Sequence, residues 1–294
     1  LERITLVTVC DNHYAVMLAA LIKSIAVNHT SNTQIELFIV DDHIDKNNKL
    51  KIVNSHTSPH VTLSWLPIEQ VIPNNLNLPF DTSTFPLNVY IRILISHFIP
   101  DYCSRAIYLD VDMIVRKDLL PLWETNLNDK IIAGVVDRSE KVSSPWGGIP
   151  NYKELALNPE SKYFNSGLLI IDVVKWRGTD LSAKILECIA YNKQHAGFPD
   201  QYGLNVVFAD QWHELDQKWN TISESDDPDP SIIHFIGVKP IYQNYKNNLF
   251  YKNEFFDYLN KTAWKGYKPT AGYNQFLNKL SKKLQKLVKS MVKI

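Results

Sequence analysis

"AIYLDVDMIV", residues 106–115, is the stretch whose reading decides how this chain folds. Residues 106–109 are all apolar and apolar residues resume at Met113, so the stretch reads as a buried strand interrupted by two like charges. Unpaired ionised carboxylates are costly to bury. The run must therefore leave the core at Asp110 or bring both carboxylates to a cation. Alternate side chains of a strand share a face, so Asp110 and Asp112 point the same way if the strand continues that far. In open α/β sheets ligands bind beyond the carboxyl ends of strands, which is where this pair then falls. A solvated strand end or turn fits the same residues.

Upstream, strand-like and helix-like segments alternate. Arg3–Val9 reads as a strand, and Tyr14–Val27 carries apolar residues at helical spacing. "IELFIV" (35–40) is a second strand ending in Asp41 and Asp42, Asp45–Asn54 a short polar helix, "VTLSWL" (61–66) a third strand and "VYIRILISHFI" (89–99) a helix. Strands separated by helices predict an α/β, Rossmann-like architecture with a mainly parallel central sheet covered on both faces. No GxGxxG follows the first strand, so the dinucleotide fingerprint is missing. Downstream, "IIAGVV" (131–136), "GLLIIDV" (167–173) and "IIHFIG" (232–237) read as strands and Asp180–Gln194 as a helix, between long loops of the kind that build binding sites. From about Asn274, apolar residues recur every three or four positions with lysines between, a basic amphipathic helix.

The 294 residues are 45% hydrophobic and 21% charged, enough for a large core. Lys plus Arg equals Asp plus Glu at 31 each, which gives no polyanion-binding signal and argues against a nucleic-acid partner. The charge is unevenly spread: no acid follows Asp257, whereas nine lysines do. Cys10, Cys103 and Cys188 are far apart and odd in number, against a disulfide framework and in keeping with a reducing compartment. With no long apolar span and no signal-like start, the chain reads as cytoplasmic. "NHT" at Asn28 and "NKT" at Asn260 match a glycosylation pattern short enough to arise by accident.

Other residues carry chemistry only in combination. Hard oxygen donors such as Asp110 and Asp112 suit Mg²⁺ or Mn²⁺, which hold substrate phosphates with one or two protein carboxylates. Without a metal, a carboxylate and a phosphate charge ~4 Å apart repel by about 4 kcal/mol at an effective dielectric near ~20. His234 is either a hydrogen-bonded core histidine or, with Gly237 and Lys239 following, part of a metal–diphosphate site. Asn165, Ser166 and Gly167 form either a polar turn or a place where a ligand reaches the backbone. Asp200, before Gln201, reads as a helix N-cap or as a site residue. Asp11 with Tyr14 caps a helix or pairs and stacks with a base, and Arg92, on an apolar helix, needs an anion, either a salt bridge or a phosphate.

Taken in order, Asp11 after the first strand, Arg92 in "VYIRILI", "YLDVDMIV", "FNSGLLIID", "DQYGLN" and "HFIGVKP" resemble glycosyltransferase family 8, the retaining enzymes that include lipooligosaccharide galactosyltransferases and glycogenin. The resemblance covers roughly residues 4–245. It implies a GT-A fold in a catalytic domain at 1–245 with a C-terminal extension at 246–294, binding a UDP-sugar with Mn²⁺ (or Mg²⁺). By position, Asp110, Asp112 and His234 become the metal ligands. Val9, Asp11 and Tyr14 hold the uridine, Arg92, Asn165 and Asp200 orient the donor sugar, and Gly237 and Lys239 grip the diphosphate. Val111, Ser166 and Gly167 join the donor-binding set. Gln201 falls on the β-face of the anomeric carbon and Asp137 near the reacting sugar, so the catalytic candidates are Gln201, Asp137 and Asp200.

The implied reaction moves a hexose, galactose before glucose, to a saccharide hydroxyl on an envelope glycan, glycolipid or glycoprotein. An amide is a poor nucleophile, so Gln201 favours front-face displacement over a covalent intermediate. The basic tail suggests an anionic membrane surface as a further partner, or docking on the domain. Ile241 stands where the family commonly has tryptophan, and His13 where it has asparagine, which puts the acceptor side and the diphosphate contacts in question. The competing classes are a metal-dependent phosphohydrolase and a non-catalytic sugar-nucleotide-binding module. The first wants a second acidic or histidine-rich cluster, which the sequence lacks, and the second would be expected to lose one of Asp110, Asp112 or His234.

Overall fold

The computed structural model describes residues 3–73, 76, 78 and 86–271. Its elements begin with β1 (Ile4–Asp11), α1 (Ala15–Asn28), β2 (Ile35–Asp42), α2 (Lys46–Ser55), β3 (Val61–Pro67), α3 (Ile68–Val71) and α4 (Ile91–Phe98). There follow β4 (Arg105–Leu109), β5 (Met113–Val115), α5 (Leu120–Trp123), β6 (Ile132–Lys141), β7 (Lys162–Asp172), α6 (Val173–Gly178) and α7 (Leu181–Tyr191). The chain continues through α8 (Pro199–Val207), β8 (His213–Glu214), β9 (Thr221–Ile222), β10 (Ile232–His234) and α9 (Leu249–Leu259). The basic segment at 274–294 lies outside the described residues.

Seven strands form the central sheet in the order β3-β2-β1-β4-β7-β6-β8. Only the β4–β7 and β7–β6 pairs are antiparallel, so the sheet is mainly parallel as the alternation of elements predicts. Its strands read as unbroken apolar runs because both faces are covered. Leu6, Ile107, Leu109 and Ile170 join the core with α1 and α9, whereas Val7, Val9, Ala106, Tyr108 and Leu169 join the core with α4, α7 and α8. Alternation with a period of two thus sends neighbouring residues to opposite layers.

Good helix formers and the absence of Gly or Pro favour α1. Its residues from Ala15 to Ile22 are all buried because it packs both on the sheet side and against β5 and α9. Each fully buried leucine or isoleucine there contributes ~1.5–3 kcal/mol. Asn28 ends the helix with its amide donating to the carbonyls of Ser24 (3.0 Å) and Val115 (2.9 Å) and meeting the Tyr258 hydroxyl at 2.8 Å. That nitrogen is engaged inside the fold, which leaves the "NHT" match without an available acceptor. The three cysteines are free.

Three readings of strand extent change in the structure. "AIYLDVDMIV" is not a single strand: β4 stops at Leu109, the chain turns through residues 110–112, and β5 joins a second sheet in the order β5-β10-β9. Apolar residues resume at Met113 because β5 pairs antiparallel with β10, placing His234 opposite Met113. The two aspartates therefore sit where the chain passes from one sheet to the other. "IIHFIG" likewise is strand only over Ile232–His234, and Asn165, Ser166 and Gly167 lie inside β7 rather than ahead of it.

Candidate active site

The carboxyl ends of β1 and β4 deliver Asp11 and Asp110 to one edge of the sheet. Antiparallel β7 runs back beside β4, Leu109 opposite Leu168, and brings residues 165–167 to the same edge. Asp110 N donates to the Gly167 carbonyl at 2.8 Å and Phe235 N to the Asp112 carbonyl at 2.9 Å, so the turn is tied to both sheets. Asp110, Asp112 and His234 then converge, with one ligand atom from each lying within 4.8 Å of the others. His234 Nε2 is 3.3 Å from Asp112 Oδ1 and 3.7 Å from Asp110 Oδ2.

Gly167 has no side chain because that volume is taken. A Cβ there would stand 2.4 Å from His234 Cε1, 2.8 Å from Asp110 Oδ2 and 2.9 Å from Asn165 Oδ1. The close approach that the glycine permits is made by the cluster's own side chains.

Arg92, 6% exposed on α4, sits behind the cluster. Its Nη2 donates to Asp110 Oδ1 at 2.8 Å and its Nε pairs with Asp200 Oδ2 at 3.1 Å. Nη1 donates to the Ser166 carbonyl at 2.6 Å and hydroxyl at 3.0 Å, and the guanidinium lies over the Tyr108 ring. The anion that Arg92 needs is thus supplied by the protein twice over. Asp200 is not an N-cap: Phe198 holds that position, Pro199 begins α8, and the Asp200 carboxylate also accepts from Ser166 Oγ at 3.0 Å. Beside it, Gln201 Oε1 accepts from Ser166 N at 3.0 Å.

The two central carboxyls are driven apart electrostatically. Burial pushes Asp110 above the ordinary carboxylate range, against the pull of Arg92. Burial acts on Asp112 as well, but Lys239 and His234 outweigh it and hold that group well below its usual range. Lys239 Nζ donates to Asp112 Oδ2 and, at 2.6 Å, to the Phe235 carbonyl. Gly237, two residues before, has φ +67°, a conformation that favours glycine.

At the end of β1, Asp11 Oδ1 accepts from Tyr14 N at 3.0 Å, and the Tyr14 hydroxyl is pushed up by burial and by Tyr242 and Asp112 nearby. His13 meets the Tyr242 hydroxyl at 2.6 Å. The two departures from the family pattern are thereby linked in space, since Ile241, 1% exposed, is a core residue beside Tyr242. Val9 is buried in the layer below, and Val111 lies in the turn between the aspartates.

Asp137, on β6, accepts from Ser139 N at 2.9 Å through Oδ1 and from Asn165 Nδ2 at 2.8 Å through Oδ2. One participant that sequence reasoning missed is Asn220, 1% exposed, whose Oδ1 is 2.9 Å from His234 Nδ1. Nothing in "QKWNTI" marks it, because its role comes from partners on other elements.

Two oxygen donors and an imidazole nitrogen suit a hard or borderline divalent cation. The linked network holds four carboxylates, Asp110, Asp112, Asp137 and Asp200, against Arg92 and Lys239, which leaves the charge for one such ion with His234 as a neutral ligand. The donor set therefore fits a metal.

A Rossmann-like sheet with an acidic cluster beyond the carboxyl ends of its strands defines a ligand-binding α/β protein. Residues 5–240 match the sequence model described as Glycosyl transferase family 8, and the chain belongs to that family. It is 27% identical over 285 residues to General stress protein A of Bacillus subtilis (strain 168), covering 90% of this chain and 95% of the relative. Against glycosyltransferase GlyB of Streptococcus pneumoniae serotype 4 it is 29% identical over 280 residues, 86% of this chain but 61% of GlyB. Among solved structures, the apo bifunctional glycosyltransferase WbbM superposes with a TM-score of 0.76 at 20% identity, over 90% of this chain and 50% of WbbM. Galactosyltransferase LgtC, in complex with donor and acceptor sugar analogues, gives a TM-score of 0.71 at 23% identity, over 90% and 99% of the two chains. At these identities the structures speak for the fold. No helix among the described residues is long and apolar enough to cross a membrane.

Proposed function

We propose that the chain is a retaining hexosyltransferase. It moves a hexose, galactose first and glucose next, from a UDP-sugar to a saccharide hydroxyl on a bacterial-type envelope glycan, glycolipid or glycoprotein. The observation that carries this reading is the convergence of Asp110, Asp112 and His234 at the junction of the two sheets. These residues would hold Mn²⁺ or Mg²⁺. A divalent ion so held offsets the repulsion between carboxylates and diphosphate and stabilises the charge that develops on departing UDP.

The other roles follow from position. Val9, Asp11 and Tyr14 hold the uridine, and Lys239, with Gly237 shaping its loop, turns from Asp112 to the diphosphate. Arg92, paired with Asp110 and Asp200, joins Asn165 and Asp200 in orienting the donor sugar, and Val111, Ser166 and Gly167 complete the donor-binding set. Gln201 Oε1 is engaged by Ser166 N and both Asp137 oxygens accept hydrogen bonds, which supports front-face displacement, with the leaving diphosphate taking the acceptor's proton. Trapping a glycosyl adduct on Gln201 or Asp137 would count against that step.

The test is a UDP-sugar panel scored for UDP release, with and without saccharide acceptors. UDP-galactose is expected to turn over fastest, UDP-glucose next, with the anomeric configuration retained in the product. Turnover of none of the panel would remove the proposal. The lysine-rich tail, following a chain with no acid after Asp257, would bring the enzyme to the anionic inner face of a membrane. Equal liposome co-sedimentation of the full chain and of one ending before Asn274 would refute that part.

A further inference from the structure

We infer that Asn220 is a positioning residue that keeps the proton of His234 on Nδ1, through an amide relay anchored on Gly167 N and Asp137. The relay's polarity follows from chemistry at its two ends. Gly167 N can only donate, and it lies 2.9 Å from Asn165, so the Asn165 atom facing it is Oδ1. The other end of that amide faces Asp137 Oδ2 at 2.8 Å, and a carboxylate accepts from a nitrogen there.

Asn165 Oδ1 also lies 2.9 Å from Asn220, so Asn220 presents Nδ2 to it. The remaining Asn220 atom, Oδ1, is 2.9 Å from His234 Nδ1 and can only accept. Nδ1 must therefore carry a hydrogen, and Nε2, which faces Asp110 and Asp112, is the ring atom free to bind the ion those carboxylates would hold. Burial makes the arrangement stringent: Asn220 is 1% and His234 4% exposed, so an unmatched polar atom in either would have no water to turn to.

A histidine ligand's other ring nitrogen is commonly held by such a partner, and loss of that partner typically weakens metal binding about 10–100-fold. The inference rests on the metal-site reading above, and its test separates the two. The ¹⁵N spectrum of His234 reports directly which ring nitrogen is protonated, with or without metal. A protonated Nδ1 in the wild-type protein supports the relay, and a bare Nδ1 with the proton on Nε2 overturns it.

Mn²⁺ titration by calorimetry then compares wild type with Asn220→Asp, which still accepts from Nδ1, and Asn220→Leu, which cannot. We expect Asn220→Asp, which keeps the acceptor for Nδ1 but loses the donor to Asn165, to lose less affinity than Asn220→Leu, which should bind about 10–100-fold more weakly. Equal loss in both variants, or none in Asn220→Leu, overturns the positioning role. A wild-type protein with protonated Nδ1 that binds no Mn²⁺ supports the relay and removes the metal reading instead.

Discussion

Gly167→Ala is the smallest change that reaches the centre of the site. The added methyl would stand 2.4 Å from His234 Cε1 and 2.8 Å from Asp110 Oδ2. Carbon atoms rest comfortably at ~3.5 Å or more, so the ring must retreat by about 1 Å or the strand must give way. His234 has little room to move, since β10 is paired to β5 and Nδ1 is held by Asn220. Overpacking of this kind costs ~1–3 kcal/mol. Metal–ligand distances tolerate only ~0.2 Å, so the displaced ring should cost Mn²⁺ affinity at least ~10-fold. Urea denaturation and calorimetric Mn²⁺ titration read the two effects separately. Gly178→Ala is the control, because a Cβ there meets nothing within 4 Å. A Gly167→Ala protein as stable as wild type, with unchanged Mn²⁺ affinity, would refute the packing argument.

Other perturbations follow from the same geometry. Arg92→Met leaves the half-buried Asp110 and the buried Asp200 without their shared cation and should lower stability by ~3–5 kcal/mol in denaturant melts; a change under ~1 kcal/mol would contradict the role assigned to Arg92. Asp118, in the loop before α5, is held at about 2, because backbone N–H groups of Leu120, Ser31 and Thr30 outweigh the effect of burial. Its folded value lies below the ordinary 3.8, so the stabilisation is present above that pH and disappears as pH falls through about 2. Discounted for solvent screening it amounts to about 1–2 kcal/mol. Asp118→Asn should therefore trail wild type by that amount near neutrality, and the gap should close in acid; a gap independent of pH would exclude the linkage. Tyr242→Phe removes the His13 contact and should cost ~1 kcal/mol, with no effect on Mn²⁺ affinity, whereas weakened Mn²⁺ binding would show that this contact also supports the metal cluster.

Much of the architecture was legible because strands buried on both faces write themselves as long apolar runs. That holds for Ile4–Asp11, Ile35–Asp42 and Arg105–Leu109. The break at residues 110–112 was only half legible. The charges announce it, but the transfer of Met113–Val115 to another sheet depends on pairing with a segment more than a hundred residues away. Asp200 looked like a cap because helix-start residues often are; its actual partner, Arg92, is on another helix. Arg92 itself was legible as a buried cation in need of an anion, while the identity of that anion was a property of the fold. Asn220 left no trace in the sequence, since an asparagine after an aromatic residue at the end of a short 3-10 turn has no pattern of its own. Gly167 was readable as a point of close approach, but not what approaches.

The central claim is that Asp110, Asp112 and His234 hold a divalent ion without which the hexose is not transferred. Its most direct test is UDP release from UDP-galactose, measured on wild type and Asp112→Asn, each in Mn²⁺ and in chelator. The account predicts turnover by wild type in Mn²⁺ and a fall of at least ~100-fold in the other three conditions, the scale on which removing one key electrostatic stabiliser slows an enzyme. Full activity in chelator, or in Asp112→Asn, would contradict it.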